Sequence, residues 1–223
     1  MSFLDETVKI PRRTMTIFFM VDTSGSMTGS KIGAVNEAVQ NVVPVIREIS
    51  SSSTDAEIRI AALGFSDGAR WLYDEPKPAA DFQWKDLTAG GRTDLGAACT
   101  ELESKLHRSG FMKSAAGSFA PAVIILSDGG PTDRDFEKRL EALWGNGWFR
   151  HAIKFAIAIG EDADMDILAG FTGDRSSVFS VSSIDDLRRM IRFVSVTSAQ
   201  IGSRGNTAAG APVSGFDSCD DWE

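Results

Sequence analysis

The stretch TIFFMVDTSGSMTGSKIG, residues 16–33, carries the clearest structural signal in the sequence. It begins with an unbroken apolar run, which is typical of a strand buried on both faces of a parallel sheet. The run ends at Asp22, and Ser24 and Ser26 follow at alternate positions. Apolar residues at helical spacing then predict a helix from Ser30, with Ser30 as its N-cap. Three oxygen-bearing side chains therefore lie between a buried strand and a helix.

The same alternation of strand and helix continues along the chain. Strands are predicted at residues 15–21, 56–66, 68–77, 120–129, 151–160 and 176–181, and helices at 30–50, 92–110, 132–145, 163–173 and 183–202. The sequence Ser-Asp-Gly at 66–68 indicates a hairpin turn, and Pro44 predicts a kink or a break in the first helix. The order predicts a doubly wound, Rossmann-like three-layer α/β/α sandwich, with a mostly parallel central sheet and one antiparallel edge strand.

The predicted fold turns sequence order into a location for a binding site. In such sheets the crevice lies at the carboxyl ends of the strands, where the strand order reverses. Asp22 follows the first buried strand and Asp128 follows another. The loop Gly-Gly-Arg-Thr-Asp at 90–94 opens a helix, with Thr93 at the helix start and Gly110 at its end. We therefore expect Asp22, Thr93 and Asp128 to converge on one rim.

Carboxylates and hydroxyls are the ligands that hard cations such as Mg²⁺, Mn²⁺ and Ca²⁺ prefer. Small hydroxyl side chains at Ser24 and Ser26 place oxygen close to the backbone, and Gly25 allows a tight turn between them. Together with Asp22 they would aim three oxygens into one concavity. The same residue types are also common as caps and turn residues before helices, so this spacing alone does not separate the two roles.

Three segments taken together add a family resemblance. The segments FFMVDTSGSM, GGRTDLGAA and VIILSDGGPTD resemble the von Willebrand factor A domain and its metal-ion-dependent adhesion site, or MIDAS, in both order and spacing. The resemblance covers residues 12 to about 197. It implies a binding and scaffolding module rather than an enzyme.

The resemblance also implies a role for each matching position. Ser24, Ser26 and Thr93 would be hydroxyl ligands of a divalent cation, with Thr93 acting directly or through water. Asp22 and Asp128 would be the acidic ligands, at least one of them through water. The sixth position would be left for an Asp or Glu of a protein partner. Mg²⁺ is the expected ion, and Mn²⁺ and Ca²⁺ also suit such an oxygen site.

Within that family, the chain is most similar to the TerY-like proteins of bacterial tellurium resistance. The segments that carry this likeness are residues 11–48, GFSDGAR at 64–70 and LSDGGPTD at 126–133. It implies a bacterial stress-response setting in which a protein kinase and a PP2C-type phosphatase are the candidate partners. The cysteine-containing C-terminal metal segment that some TerY-like proteins carry has no counterpart here.

Composition narrows the classes of partner and compartment. The net charge of −8 and the pI of about 4.9 argue against nucleic acid and against anionic lipid surfaces as ligands. No apolar run approaches the roughly 18–20 residues of a membrane span. The N-terminal residues 1–13 show no secretory signal, and Cys99 and Cys219 form neither a disulfide framework nor a zinc motif. We therefore expect a cytoplasmic protein.

The chain divides into a predicted domain at 12–199 and a Gly-, Ser- and Ala-rich acidic tail at 200–223. The tail is interpreted as a solvated segment. The alternative is a docking segment with Phe216 and Trp222 as anchors, from which Asp220 or Asp221 would complete the metal site of a second copy.

Several residues near the predicted rim are interpreted as structural. Asp67 is expected to be a turn residue, and Asp94 a first-turn acid or a support for the site. Asp133 is expected to cap a helix that begins at Thr132, with a role in shaping the rim as the alternative. Four tryptophans are expected to anchor packing, with an interface role open for the last two: Trp71, Trp84, Trp144 and Trp148.

Other chemistries lack residues that they need. A haloacid-dehalogenase-like phosphotransferase requires a second acid at position 24, where this chain has serine. Neither a P-loop nor a G-x-S-x-G nucleophile elbow is present. The histidines, His107 and His151, are expected at the ends of elements rather than as catalytic bases. Two alternative functions stay open: a metal-dependent phosphoester hydrolase that uses the same carboxylates, and a domain whose metal only stabilises the fold.

Overall fold

The computed structural model describes residues 11–161 and 163–203. The strands in these residues are β1 (Arg13–Asp22), β2 (Ala56–Ser66), β3 (Gly68–Trp71), β4 (Lys77–Pro78), β5 (Ala122–Ser127), β6 (Ile153–Ile159) and β7 (Val178–Val181). The helices are α1 (Ser30–Ser52), α2 (Leu95–Lys105), α3 (Phe136–Gly145), α4 (Gly147–Arg150), α5 (Met165–Thr172) and α6 (Ile184–Ser203). The predicted C-terminal tail lies almost entirely outside the described residues, so its role stays a prediction.

One sheet forms the middle layer, in the order β3-β2-β1-β5-β6-β7. The strands from β2 to β7 along this order pair in parallel, whereas β3 and the two-residue β4 run antiparallel to the outer side of β2. The predicted three-layer α/β sandwich with an antiparallel edge is therefore confirmed. The chain moves outward from β1 to β2 and later returns to β5 on the other side of β1. The carboxyl ends of β1 and β5 therefore flank the switch point, the usual position of a binding crevice.

Two apolar layers enclose the sheet. Alternate residues of β1 serve opposite layers: Ile17 and Phe19 face the cluster that includes α1 and α6, whereas Phe18 and Met20 face the cluster that includes α2, α3 and α5. All four side chains are fully buried. This double burial explains why the strand has an unbroken apolar sequence instead of the alternation of a half-exposed strand.

Helix α1 starts at the predicted residue, and the four later predicted helices start one to four positions after their predicted starts. The N-cap of α1 is Gly29, in a positive-φ conformation, and Ser30 is the first helical residue. Helix α2 begins after Thr93, at Leu95, because the Asp94 carboxylate accepts from Ala97 N at 2.8 Å and caps the helix. The predicted start at Thr93 was therefore wrong, and Asp94 supplies the cap.

Helix α3 begins at Phe136, with Asp135 at its N-cap position. The prediction that Asp133 caps a helix beginning at Thr132 was wrong, because the helix begins four residues later and Asp135 occupies its N-cap position. Helix α2 also ends before the predicted Gly110, at Lys105, where the backbone turns and Phe111 N donates back to Lys105 O at 2.9 Å.

Two further features depart from the sequence pattern. Helix α1 continues through Pro44 without a break. The segment after α3 forms the short helix α4, in which the Asn146 side chain accepts from Trp148 N at 2.9 Å. Within residues 11–161 and 163–203, none of the helices is both long enough and apolar enough to span a membrane.

Candidate metal centre

Four of the predicted site residues form one hydrogen-bonded chain at the carboxyl ends of β1 and β5. Asp22 Oδ1 accepts from Ser24 N at 2.8 Å, and Ser24 Oγ lies 3.0 Å from Ser26 Oγ. Ser26 Oγ donates to Asp128 Oδ1 at 2.7 Å. Asp22 and Ser24 are buried, whereas Ser26 is exposed. The chain therefore runs from the interior to the surface, and its open side is at Ser26.

The spacing of these oxygens suits a small octahedral cation. In an octahedron with metal–oxygen distances of about 2.0–2.1 Å, neighbouring ligand oxygens lie about 2.9 Å apart. The separations of 3.0 Å from Ser24 Oγ to Ser26 Oγ and 2.7 Å from Ser26 Oγ to Asp128 Oδ1 are close to that edge. A cation would therefore replace the hydrogen bonds between these groups with little movement of the side chains.

Asp22 is fully buried, and both of its carboxylate oxygens have partners. The second oxygen, Oδ2, accepts from Ser127 Oγ at 2.6 Å. Burial raises the pKa of Asp22, the hydrogen bonds from Ser127 and Ser24 lower it, and the nearby charge of Asp128 raises it further. Two carboxylates held close together in this way favour a cation between them.

The loop at residues 90–93 brings Thr93 to the same rim. Gly25 N donates to Gly91 O at 3.0 Å, and Gly90 N donates to Thr23 O at 2.8 Å, so this loop lies against the loop after β1. The structure thus places all five predicted residues at the carboxyl ends of the strands: Asp22, Ser24, Ser26, Thr93 and Asp128. Asp94, beside Thr93, is committed to capping α2.

Thr132 ties the Thr93 loop to the loop that follows Asp128. Thr93 O accepts from Thr132 N at 2.9 Å and from Thr132 Oγ1 at 3.1 Å, and Thr93 N lies 3.3 Å from the same hydroxyl. The sequence pattern predicts Thr132 as the start of a helix and does not reveal this role. The contact joins residues 39 positions apart, so no local pattern could have revealed it.

Asp67 holds the same loop from the other side. It was interpreted as a turn residue between β2 and β3, but its Oδ1 also accepts from Arg92 N at 3.1 Å. Gly91 has a φ of +88°, and a Cβ on Gly91 would lie 2.5 Å from Asp67 Oδ2. Only glycine therefore fits here without strain, and Asp67 acts as a positioning residue for the Thr93 loop.

Lys31 is a further residue that the sequence analysis missed. Its ammonium donates to Asp128 Oδ2 at 2.5 Å, and the Asp128 side chain is only 1% exposed, against 35% for Lys31. Asp128 therefore divides its oxygens, with one toward Ser26 and the other toward Lys31.

Asp133 does not join this centre. Both of its carboxylate oxygens are buried without a hydrogen-bond partner among the described residues, and a Cβ on Gly96 would lie 2.2 Å from Asp133 Oδ2. The side chain therefore packs tightly against the first turn of α2.

The donor set predicted for the centre is two carboxylates and three hydroxyls. Across 11–161 and 163–203, no group of three or more His, Cys, Asp or Glu side chains is arranged to hold a metal ion. A cation at the rim would therefore depend on the hydroxyl oxygens as well as on the carboxylates. Neutral and anionic oxygens fit a hard divalent ion, and five of them leave one of its six octahedral positions open.

An open, mostly parallel α/β sheet with an oxygen-lined rim at its switch point defines a class of ligand-binding domains. The sequence matches the von Willebrand factor type A domain over residues 16–192. The chain belongs to this family. A search of curated proteins finds no match to it.

Solved structures with the same fold come from distant organisms. A von Willebrand factor type A structure from Catenulispora acidiphila is 18% identical, with a TM-score of 0.62, and the match covers 84% of this chain and 43% of that one. The ArnB paralog VWA2 from Sulfolobus acidocaldarius is 21% identical, with a TM-score of 0.58 and coverage of 82% and 45%. Proximal thread matrix protein 1 from the mussel byssus, with a zinc-occupied MIDAS motif, is 18% identical, with a TM-score of 0.62 and coverage of 85% and 46%. The chain spans less than half the length of each, and at these identities the likeness concerns the fold.

Proposed function

We propose that this domain binds a divalent cation through Asp22, Ser24, Ser26, Thr93 and Asp128, and uses the cation to bind an acidic side chain of a protein partner. The observation that carries the proposal is the hydrogen-bonded chain from Ser24 through Ser26 to Asp128, whose oxygens have the spacing of octahedral ligands. No chemical step is needed for this function, and we propose that the domain is not an enzyme.

Charge and exposure at the rim support an acidic ligand. A divalent ion held by these five oxygens keeps one octahedral position open, and Asp or Glu fills it with a hard oxygen donor. Ser26 and Arg92 are exposed, and Lys31 is partly exposed. Two basic residues of the rim, Lys31 and Arg92, are therefore accessible to an incoming carboxylate.

Mg²⁺ is the proposed ion, and Mn²⁺ and Ca²⁺ are the alternatives. All three accept carboxylate and hydroxyl oxygens, and the short separations between the oxygens along the chain suit the smaller ions. The zinc-occupied MIDAS motif of the byssus protein adds Zn²⁺ to the ions to be compared.

A narrower proposal concerns the setting. The segments from residue 11 to residue 48, with GFSDGAR and LSDGGPTD, support a TerY-like protein of a cytoplasmic tellurium-resistance or stress-response system. A protein kinase and a PP2C-type phosphatase are then the candidate partners. Each would be tested as a purified protein for binding that requires the cation.

The pull-down experiment that tests the function uses Asp22→Ala/Ser24→Ala beside the wild type, each with Mg²⁺ and with EDTA. The matched control is Asp174→Ala/Ser176→Ala. This exposed pair has the same spacing and lies before β7, at the amino ends of the strands and away from the candidate site. A partner recovered by wild type and control with Mg²⁺ alone, and not by the site variant, supports metal-bridged binding. Recovery of the same proteins in every condition would reject it.

The phosphoester hydrolase alternative rests on the paired carboxylates at the strand ends. The histidines do not assist it, because His107 follows α2 and His151 precedes β6, which places both at the amino ends of the strands. Mg²⁺-dependent turnover of a phosphoester panel that is lost in Asp22→Ala would favour this function. Absence of turnover, together with cation-dependent partner binding, would favour the adhesion function.

A further inference from the structure

We propose that Lys31 is a built-in counter-cation of the metal centre, which weakens the binding of the divalent ion and strengthens the attraction of the loaded site for an anion. The inference rests on the proposed cation site. It starts from the contact of 2.5 Å between Lys31 Nζ and Asp128 Oδ2, in which a partly exposed ammonium meets a buried carboxylate.

The two carboxylate oxygens of Asp128 have different partners. Oδ1 accepts from Ser26 Oγ and belongs to the hydrogen-bonded chain of candidate ligands, whereas Oδ2 accepts from Lys31 Nζ. Lys31 therefore holds the carboxylate in one orientation without taking the oxygen that faces the hydroxyls.

The position of Lys31 has no benefit for its own helix. It is the second residue of α1, and the first turn of α1 contains no acidic residue. A cation near a helix N-terminus is disfavoured, because the helix macrodipole is positive there. The compensating interaction is with Asp128, 97 positions away. The lysine is therefore best explained by the metal centre.

The ammonium also lies at the ends of two strands. Asp128 directly follows β5, and a Cβ on Gly160, which directly follows β6, would lie 3.9 Å from Lys31 Nζ. Lys31 thus reaches from α1 across the rim to the carboxyl ends of β5 and β6. It is close enough to act on any charge bound there.

The effect on binding follows from the formal charges. Asp22 and Asp128 contribute two negative charges and Lys31 contributes one positive charge, so the metal-free group of three carries −1. Without Lys31 it would carry −2 and attract a divalent ion more strongly. After binding, the group with Lys31 carries +1 instead of zero. A partner carboxylate is therefore drawn to the loaded site.

Calorimetric titration with Mn²⁺ tests the proposal directly. Lys31→Met is expected to bind Mn²⁺ about three- to tenfold more tightly than wild type, a modest factor because the ammonium is partly solvated. Lys31→Arg, which keeps the charge, is expected to stay within about twofold of wild type. The matched control is Lys113→Met, which removes an exposed lysine between α2 and β5, at the amino ends of the strands.

Thermal melting gives a second readout. The rise in Tm from EDTA to saturating Mn²⁺ is expected to be larger in Lys31→Met than in wild type, because the unneutralised carboxylates gain more from the ion. A purely packing role would lower Tm equally in both conditions. Should Lys31→Met fail to fold, Lys31→Gln carries the same expectations.

The possible failures are distinguishable. Wild-type binding of Mn²⁺ with unchanged or weaker affinity in Lys31→Met and Lys31→Gln would overturn the role of Lys31 and leave the cation site intact. Wild type that binds no Mn²⁺, or binds it equally after Asp22→Ala/Ser24→Ala, would overturn the proposed site itself.

Discussion

Ser127 Oγ donates to Asp22 Oδ2 at 2.6 Å, and this bond joins the ends of β1 and β5 beneath the candidate metal centre. Both residues are buried, at 1% and 0% exposure. Asp22 Oδ1 is already occupied by Ser24 N, so the Ser127 hydroxyl is what satisfies the second oxygen. The bond therefore fixes the direction in which the Asp22 carboxylate faces the rim.

Ser127→Ala is expected to lower the free energy of unfolding in EDTA by about 1–3 kcal/mol, because it leaves a buried carboxylate oxygen without its donor. Chemical denaturation with urea measures this change. Ser180→Ala, on the exposed face of β7, is the control and is expected to change stability by less than about 0.5 kcal/mol. Equal effects of the two variants would show that the Ser127 bond does not stabilise the fold.

Gly91→Ala is expected to weaken Mn²⁺ binding more than it weakens the fold. The alanine must adopt a φ of +88° and place its Cβ 2.5 Å from Asp67 Oδ2, so the loop that carries Thr93 has to move. Calorimetric titration with Mn²⁺, together with a melting curve, separates the two effects.

The neighbouring Gly90→Ala is the matched control for Gly91→Ala, since a Cβ on Gly90 meets nothing within 4 Å. It is expected to bind Mn²⁺ like wild type. Asp67→Ala/Gly91→Ala tests the mechanism further, because removal of the Asp67 carboxylate relieves the close contact but leaves the strained φ. Asp67→Ala also removes the bond to Arg92 N, so Asp67→Ala alone is the reference for the double variant. An equal loss of affinity from Gly91→Ala in wild type and in the Asp67→Ala background would place the whole effect in backbone strain.

The parts of the structure that sequence predicts well are those that depend on local pattern. The apolar run of β1 requires burial on both faces, and the D-x-S-x-S spacing places Asp22, Ser24 and Ser26 on one short loop. The strand–helix alternation then fixes the edge of the sheet to which this loop and Asp128 belong. The location of the candidate site could therefore be predicted without coordinates.

The supporting residues could not be predicted, because their contacts join distant parts of the chain. Asp67 meets Arg92 across 25 positions, and Lys31 meets Asp128 across 97. Each of these residues also has an ordinary local explanation, such as a turn or a solvated helix face. Only the packing of the loops decides which of the two applies.

The predictions of the helix caps were wrong for a related reason. Polar residues suitable as caps occur in clusters before α2 and α3, so several positions compete for the same role. The Thr93 backbone and Thr132 bond to each other, which leaves Asp94 and Asp135 at the two N-cap positions. Which residue caps a helix thus depends on a contact between loops that local sequence does not encode.

Thr132→Val is expected to weaken Mn²⁺ binding by a few fold, because it removes the hydroxyl that bonds to both Thr93 N and Thr93 O. The Thr132 N to Thr93 O bond remains, so the loops stay in contact and the fold is retained. Thr88→Val, in an exposed loop position, is the control for the change of residue type. Affinity equal to that of the control would mean that the backbone bond alone positions Thr93.

Asp22→Asn is expected to raise the Tm of the metal-free protein at neutral pH, although it removes cation binding. Burial is the main cause that raises the pKa of Asp22 above its ordinary value of 3.8 in the folded protein. An acid with a raised folded-state pKa contributes stability that is fully present below its unfolded pKa and is lost as the pH rises through the folded value. Asparagine has no such charge to bury.

Melting curves in EDTA from about pH 4 to about pH 7 measure this difference. The Tm of wild type is expected to fall relative to that of Asp22→Asn as the pH rises. Asp174→Asn provides a control of opposite sign, because hydrogen bonds from Ser176 lower the pKa of the exposed Asp174, whose contribution is lost as the pH falls. With Mn²⁺ present, wild type regains stability and Asp22→Asn does not. Parallel Tm curves for wild type and Asp22→Asn would mean that the buried Asp22 charge does not destabilise the metal-free fold. A cation would then have no such cost to offset.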